Sequence, residues 1–295
     1  MDFETKVYGK WILAGEHSVL RGAPALVFPL TSRYLQLNYQ ANPKSDQLTL
    51  ELDGSHGEEL QLLFWGVLEK ACEIKKIRRN QLTGKLKLQS SIPVGAGLGA
   101  SAALSVAVAR WFHWQKIIQA EEIYEFSRQL ENLFHGESSG VDIAVAMSGR
   151  GLKFVRNGEK TEFVPKWQPK WYVSYSGKRG VTVECVNKVK DFVSKNNNQA
   201  EKLDTRMKQA VEKSQLALSL SEKEGFLLLC DAVKMANKCF TEWGLTDGVP
   251  KQHLEWLTDS GAEAVKPTGS GNGGYVLSLW RDEPPAEVLK KLIPC

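Results

Sequence analysis

Residues 93–103, Pro93-Val94-Gly95-Ala96-Gly97-Leu98-Gly99-Ala100-Ser101-Ala102-Ala103, run straight into a helix of small residues, and no other stretch restricts the fold as much. Three glycines at alternate positions leave little side-chain obstruction, so successive backbone N–H groups can turn toward one anion at the N-terminus of the helix that follows. The helix dipole adds roughly half a positive charge at that end, and Ser101 offers a hydroxyl in the first turn for a phosphate oxygen or its magnesium. The stretch reads as a cradle for a nucleotide phosphate.

Two better-known glycine loops fit less well. Gly95-Ala96-Gly97-Leu98-Gly99-Ala100 formally satisfies the dinucleotide fingerprint, and Glu121 lies roughly 20 residues on. That fingerprint follows a buried parallel strand, which is a continuous apolar run. Here Lys85-Leu86-Lys87-Leu88-Gln89-Ser90 alternates, as a half-exposed antiparallel strand does, and Pro93 interrupts the approach. A P-loop needs Gly-Lys-Ser/Thr, whereas the Gly-Lys pairs of this chain continue as Gly9-Lys10-Trp11, Gly84-Lys85-Leu86 and Gly177-Lys178-Arg179.

A chain of 295 residues exceeds the usual single core, so two domains are expected, and 42% hydrophobic against 24% charged residues suffices to build both. Lys and Arg total 38 against 34 for Asp and Glu, a net +4 spread along the chain, which points to no nucleic acid. Cys72, Cys185, Cys230, Cys239 and Cys295 are scattered without a C-x-x-C pair and read as reduced thiols of a cytoplasmic protein. The N-terminus lacks a signal-peptide apolar region, the apolar runs are too short to span a bilayer, and the histidines show no zinc spacing.

Strand-like segments over 7–14, 25–40 and 47–52, with turns at Gly22-Ala23-Pro24 and Asn42-Pro43, precede a helix over 60–74. The alternating strand at 85–89 leads into the glycine loop, and helices follow over 100–114, 120–134 and 139–147. A strand at 152–155 and a hairpin turn at Asn157-Gly158 bring the chain to a domain junction near 165. The expected domains are therefore 1–165 and 166–295. The second half opens with a strand at 171–175, continues as helices over 181–194, 200–219, 223–243 and 250–259 with Asn196-Asn197-Asn198 between the first two, and ends in strands 264–266 and 275–280 around a glycine-rich turn. Strands followed by helices without regular βαβ alternation predict α+β domains.

Three further clusters accompany the loop. Gly9-Lys10-Trp11-Ile12-Leu13-Ala14-Gly15-Glu16-His17 carries a lysine on a strand and an acid–imidazole pair at its end. Glu131 sits on the 120–134 helix, and Ser138-Ser139-Gly140-Val141-Asp142 opens the next. The last cluster is Lys266-Pro267-Thr268-Gly269-Ser270-Gly271-Asn272-Gly273-Gly274. With Pro93 to Ala103, these four clusters in this order resemble the GHMP-type small-molecule kinases, which include galactokinase, homoserine kinase, mevalonate kinase and phosphomevalonate kinase. The resemblance spans residue 7 to about 280. Gly9-Lys10 through His17, together with His135-Gly136-Glu137-Ser138-Ser139-Gly140-Val141-Asp142, is most similar to the mevalonate kinases.

The resemblance implies the two-domain fold of that family, with a ribosomal protein S5 domain 2-like N-terminal domain and a ferredoxin-like C-terminal domain. It implies ATP as co-substrate, Mg2+ as cofactor, and mevalonate or a related small hydroxy compound as acceptor. No nucleic acid or membrane partner is implied, and a homodimer stays open. ATP is expected on Pro93, Gly95, Ala96, Gly97, Leu98, Gly99, Ala100 and Ser101, and the metal on Ser101 and Glu131. Asp142 matches the candidate catalytic base, and Lys10 the active-site lysine that stabilises charge on the transferring group. Glu16 and His17 match acceptor-binding residues; Thr182, Gly269 and Ser270 are assigned to the same task. Read without the resemblance, Ser139-x-x-Asp142 is a capping box, Lys10 a strand-surface lysine, Glu131 an exposed helix carboxylate and Ser101 a helix cap.

The chain departs from the family pattern at Tyr8, where proline is usual, at Ala100, where the loop often has a serine, and at Asn272 and Tyr275. The single serine leaves Ser101 to meet the metal, and the phosphate contacts fall on backbone N–H groups. The chain stops about 15 residues after the strand at 275–280, so the family's final edge strand is expected to be missing or supplied by a neighbour. Other readings on the same scaffold are a kinase of phosphomevalonate, homoserine or a sugar, a mevalonate diphosphate decarboxylase, and a binding protein without catalysis.

Overall fold

The computed structural model describes residues 2–42, 47–53, 57–135 and 138–295; Pro43 of the expected turn, His56, Gly136-Glu137 and the side chain of His135 lie outside them. The chain divides into two compact units, one made of the residues up to Lys10, Arg33–Val94 and Leu98–Gly149, the other of Trp11–Ser32, Gly95–Gly97 and Arg150–Cys295.

Two long strands, β1 (Phe3–Ala14) and β2 (Pro24–Gln40), pair with each other and contribute residues to both units. In the first unit, β3 (Leu48–Asp53), helix α1 (Gly57–Lys75) and β4 (Gly84–Ser90) follow. The alternation read in the sequence is what the structure uses. Leu86 and Leu88 are buried, while Lys87 faces Asp53 at 2.8 Å and Lys85 pairs with Glu51. Pairing differs from expectation on one side: β4 is antiparallel to β2 but parallel to β3, with Glu51 opposite Lys87. Register of that kind depends on the α1 crossover, not on alternation.

Helix α2 (Ala100–Trp114) forms the centre of this unit. Its alanines, valines and Ser105 let α1, α3 (Ile123–His135) and α4 (Val141–Ser148) approach closely, and Trp111 and Phe112 are fully buried at its end. The helix expected over 120–134 begins with a 3-10 turn at Ala120–Glu122 before α3 proper.

In the second unit, Pro24–Val27 of β2 pairs with β5 (Leu152–Val155), which a turn through Asn157 (φ 57°) joins to β6 (Lys160–Glu162). Then come β7 (Lys170–Tyr175), α5 (Thr182–Lys195), α6 (Asn197–Ser219), α7 (Glu222–Glu242), α8 (Val249–Asp259), β8 (Ala264–Thr268), β9 (Tyr275–Trp280), α9 (Ala286–Leu289) and β10 (Ile293–Pro294). Of the three asparagines expected to separate α5 from α6, only Asn196 is outside a helix. The sheet order β10-β7-β9-β8, antiparallel throughout, is a split βαβ with β9 inserted between two parallel strands, the ferredoxin-like arrangement. Its edge is the strand expected to be missing: two residues, Ile293 opposite Val173 and Pro294 opposite Tyr172, close it within the same chain. Helix α7 packs on β8, and α8 seals Tyr172, Val265, Val276 and Trp280 beneath Leu254 and Leu257. All five cysteines are free thiols. Among the described residues no helix is long and apolar enough to cross a membrane.

Candidate active site

The first unit brings a lysine, two carboxylates and two helix N-termini together. Lys10 leaves β1 as a buried side chain and its Nζ lies 2.9 Å from Asp142 Oδ2. Asp142 sits in the first turn of α4, whose N-cap is Gly140 at φ 81° with no side-chain cap bond. The capping box that is the other sequence reading of Asp142 is therefore not formed, because Gly140 starts the helix and the carboxylate turns to Lys10. Gly140 has to be glycine: a β-carbon there would collide with the Tyr124 hydroxyl. The stem of Lys10 crosses Gly99, the N-cap of α2, and its backbone N–H donates to Leu98 O at 2.9 Å. Ser101, half-buried, follows in the first turn of α2.

Glu131 on α3 is buried, contrary to the exposed carboxylate of the plain sequence reading. Burial first and the charge of Asp142 second push its carboxyl up to about 8, while Ser138 and Lys10 pull the other way. Ser138 Oγ donates to Glu131 Oε2 and accepts the Gly140 N–H at 3.0 Å; its own N–H goes to Asn132 Oδ1 at 2.7 Å. One hydroxyl thus ties the α3 carboxylate to the turn that starts α4. A buried carboxylate under repulsion from a second one is a place where a cation relieves both. Among the described residues no group of three His, Cys, Asp or Glu side chains converges to hold a metal by itself. Magnesium is commonly held by one or two side chains together with phosphates, so hard oxygen donors from Glu131 and Ser101 fit it.

The glycine loop shows why its pattern alternates. Ala96, Leu98 and Ala100 are buried, whereas Gly95, Gly97 and Gly99 lie nearer the surface with φ of 67°, 85° and 83°. Pro93 and Val94, half-buried, lead in from β4. In the second unit residues 95–97 meet the glycine-rich turn 268–274 backbone to backbone, and that turn meets Lys178 in the same way. A β-carbon on Gly274 would stand 2.9 Å from Ala96 O, one on Gly269 3.4 Å from Gly97 O, and one on Gly273 2.7 Å from Lys178 O. Gly274 N–H donates to Lys178 O at 2.7 Å, and Lys178 Nζ reaches Asn272 Oδ1 at 2.9 Å. The Arg179 guanidinium covers Gly95 and adds positive charge beside the loop.

Glu16 and His17 follow β1 in the same unit. Glu16 is buried in an ion pair with the fully buried Lys266 of β8, Nζ to Oε1 2.5 Å. Lys266 also donates to Ile12 O at 3.2 Å, and Thr268 Oγ1 accepts Ile12 N–H at 2.8 Å. The His17 ring lies edge-on to Phe240 and Trp243, with centroids 5.9 and 5.2 Å away. Burial lowers its pKa to about 4, so the ring is neutral. A carbonyl only accepts, so the 2.9 Å contact with Ser270 O makes Nε2 the protonated nitrogen and leaves the lone pair on Nδ1. His17 has φ 58° and ψ −47°, a backbone strain of order 1–3 kcal/mol. Ser18 Oγ and Arg21 Nε each donate to Asp204 at 2.6 Å and pin the next turn. Thr182, first residue of α5, stands 3.4 Å from Ser270 Oγ, so Thr182, Gly269, Ser270 and His17 form one cluster.

Sequence reasoning passed over Ser138, Asn132, Arg179, Lys266 as a side chain, Phe240, Trp243 and Asp204. Ser138 and Lys266 stand inside the quoted motifs, and a serine and a lysine flanked by glycine turns were the available signal. Asp204 on α6 had none.

The description "GHMP kinases N terminal domain" matches residues 63–150. Mevalonate kinase of Pyrococcus horikoshii is 30% identical over 306 residues, covering 95% of this chain and 90% of that protein. Among solved structures, Leishmania major mevalonate kinase in complex with R-mevalonate superposes with a TM-score of 0.78 at 22% identity, covering 95% of this chain and 88% of that one. Streptococcus pneumoniae phosphomevalonate kinase superposes at 0.70 with 17% identity, covering 98% and 94%, so the fold does not choose the acceptor.

Proposed function

This chain belongs to the GHMP kinase family, and we propose that it transfers the γ-phosphoryl group of ATP to the primary hydroxyl of mevalonate, giving 5-phosphomevalonate in the cytoplasm. The observation that carries the reading is the Lys10–Asp142 pair, in which a buried ammonium spans the N-cap of α2 and the first turn of α4. Phosphoryl transfer asks the protein mainly for positioning and charge compensation. Asp142, paired with the Lys10 ammonium, orients the acceptor hydroxyl and takes its proton. Lys10 stabilises charge as it shifts onto the transferring group, and backbone N–H groups of Gly95 to Ser101 cradle the phosphates with Arg179 adding positive charge. Transfer is direct and in line, with no phospho-enzyme.

Glu131 and Ser101 would hold Mg2+, which when bound neutralises phosphate charge. His17, Thr182, Gly269 and Ser270 bind the acceptor, the neutral His17 offering its Nδ1 lone pair to a hydroxyl. Glu16 supports this cluster from its ion pair with Lys266.

A panel of acceptors with ATP and magnesium tests the reading through ADP release. Mevalonate should be turned over far better than phosphomevalonate, homoserine or galactose, because an acceptor that leaves a buried polar group unpaired loses several kcal/mol, about 100-fold or more. Preference for phosphomevalonate would keep the family and overturn the acceptor; evolution of carbon dioxide would identify a decarboxylase, and no acceptor-dependent ADP release a binding protein.

A further inference from the structure

His17 is held in a backbone conformation that a residue with a β-carbon adopts only under constraint. Its φ of 58° and ψ of −47°, with Ser18 N–H donating to Glu16 O at 2.6 Å, define a γ-turn of the rare positive-φ hand. Strain of this kind persists only where the surroundings over-determine it. The ring is held from one side by Ser270 O and the edges of Phe240 and Trp243. The backbone before it is held by Glu16, whose carboxylate points into the protein toward Lys266.

Lys266 is placed to act as a brace. It is fully buried, bonded to both Glu16 Oε1 and Ile12 O, and its ammonium lies 5.3 Å from the centroid of the Phe240 ring that packs on His17. Thr268, two residues along the same face of β8, grips Ile12 from both sides: it accepts the Ile12 N–H at 2.8 Å and donates to Ile12 O at 3.1 Å. The end of β1 and the turn after it are thereby fixed to β8 by side chains.

We propose that Lys266 is a positioning residue for acceptor binding, acting through Glu16 to hold the γ-turn that fixes the imidazole of His17. The proposal rests on the acceptor reading given above for His17. It separates Glu16 from substrate contact: the carboxylate answers to Lys266, and the turn it anchors presents the histidine. Without the ammonium a buried carboxylate loses its counter-charge and has to move toward water, and the strained turn relaxes with it.

The test combines kinetics with the spectrum of one ring. In Lys266→Met the KM for mevalonate should rise at least about tenfold while the KM for ATP stays within about threefold. In a His17→Ala background the same substitution should change the KM for mevalonate by less than about twofold, because residues acting as one unit are not additive. Imidazole 15N shifts of wild type should report a fixed Nε2–H tautomer, and in Lys266→Met they should move or broaden. Should Lys266→Met fail to fold, Glu16→Gln cuts the same ion pair from its other end and is read in the same way. Unchanged His17 shifts in the folded variant overturn the proposal, and so does an undiminished effect of Lys266→Met on the His17→Ala background. If wild type does not use mevalonate, the acceptor reading fails by itself, and the imidazole shifts still decide whether Lys266 holds the turn.

Discussion

The side chain of Lys10 occupies the space that a β-carbon at Gly99 would need: that atom would stand 2.8 Å from Lys10 Cγ. Gly99 also sits at φ 83°, where an L-residue is strained by about 1–2 kcal/mol. Gly99→Ala should therefore displace the ammonium from Asp142 and lower kcat at least about tenfold, with a smaller loss of thermal stability. Wild-type turnover in this variant would show that the lysine's placement is not critical.

Asp142→Asn keeps the shape of the first turn of α4 and removes the charge that faces Lys10. The expected outcome is a fall in kcat of at least about 100-fold with ATP affinity changed only a few-fold, because the carboxylate serves the hydroxyl. Steady-state kinetics and nucleotide titration check the two halves separately.

Glu131 makes the metal-free protein less stable as pH rises from about 4.5 to about 8. Its carboxyl titrates near its ordinary 4.5 in the unfolded chain and near 8 in the folded one. Between these values the folded state binds more protons, so a contribution to stability that is complete below about 4.5 is lost as pH rises to about 8. Melting temperatures without metal should fall across that range, and Glu131→Gln should flatten the slope. Magnesium needs the ionised form, so its apparent affinity should strengthen with pH up to about 8 in wild type and weaken overall in Glu131→Gln and Ser101→Ala.

For His17 the sign is opposite. Burial lowers its pKa from 6.5 to about 4, so the unfolded chain takes up a proton first as pH falls. The stability tied to the neutral ring is present above 6.5 and is lost as pH drops through about 4. His17→Gln should flatten this acid limb in thermal unfolding. His17→Ala should raise the KM for mevalonate more than that for ATP, and the KM of wild type should not track a histidine titration between pH 6 and 8.

Much of this was legible in the sequence because it is local. The Lys85 to Ser90 alternation gives β4 its buried and charged faces, and the small residues after Gly99 give a helix that can be buried all round. Four motifs in order carried the family. What escaped depends on distance or on rare backbone. Glu16 reads as a polar strand end until Lys266, 250 positions away, is seen to cover it. Nothing in the letters marks His17 for a positive φ, which a sequence normally signals with glycine. Ser138 looks like a turn serine, although its hydroxyl binds a carboxylate on the preceding helix. Two residues, Ile293 and Pro294, are too few for any periodicity, so the edge strand they form was not foreseen.

The grip of β8 on Ile12 and Glu16 also fixes an order of events during synthesis. The bonds from Thr268 and Lys266 close loops of 256 and 250 residues, among the most non-local contacts in the chain. Contacts so far apart in sequence form late, after the chain entropy of the intervening loop has been overcome. Until β8 has been made, Glu16 has no Lys266 to pair with and Ile12 has no Thr268 to hold it. The acceptor cluster is therefore assembled only once β8 and the glycine-rich turn after it have been synthesised, and residues 95–97, which meet the same turn, wait for it too.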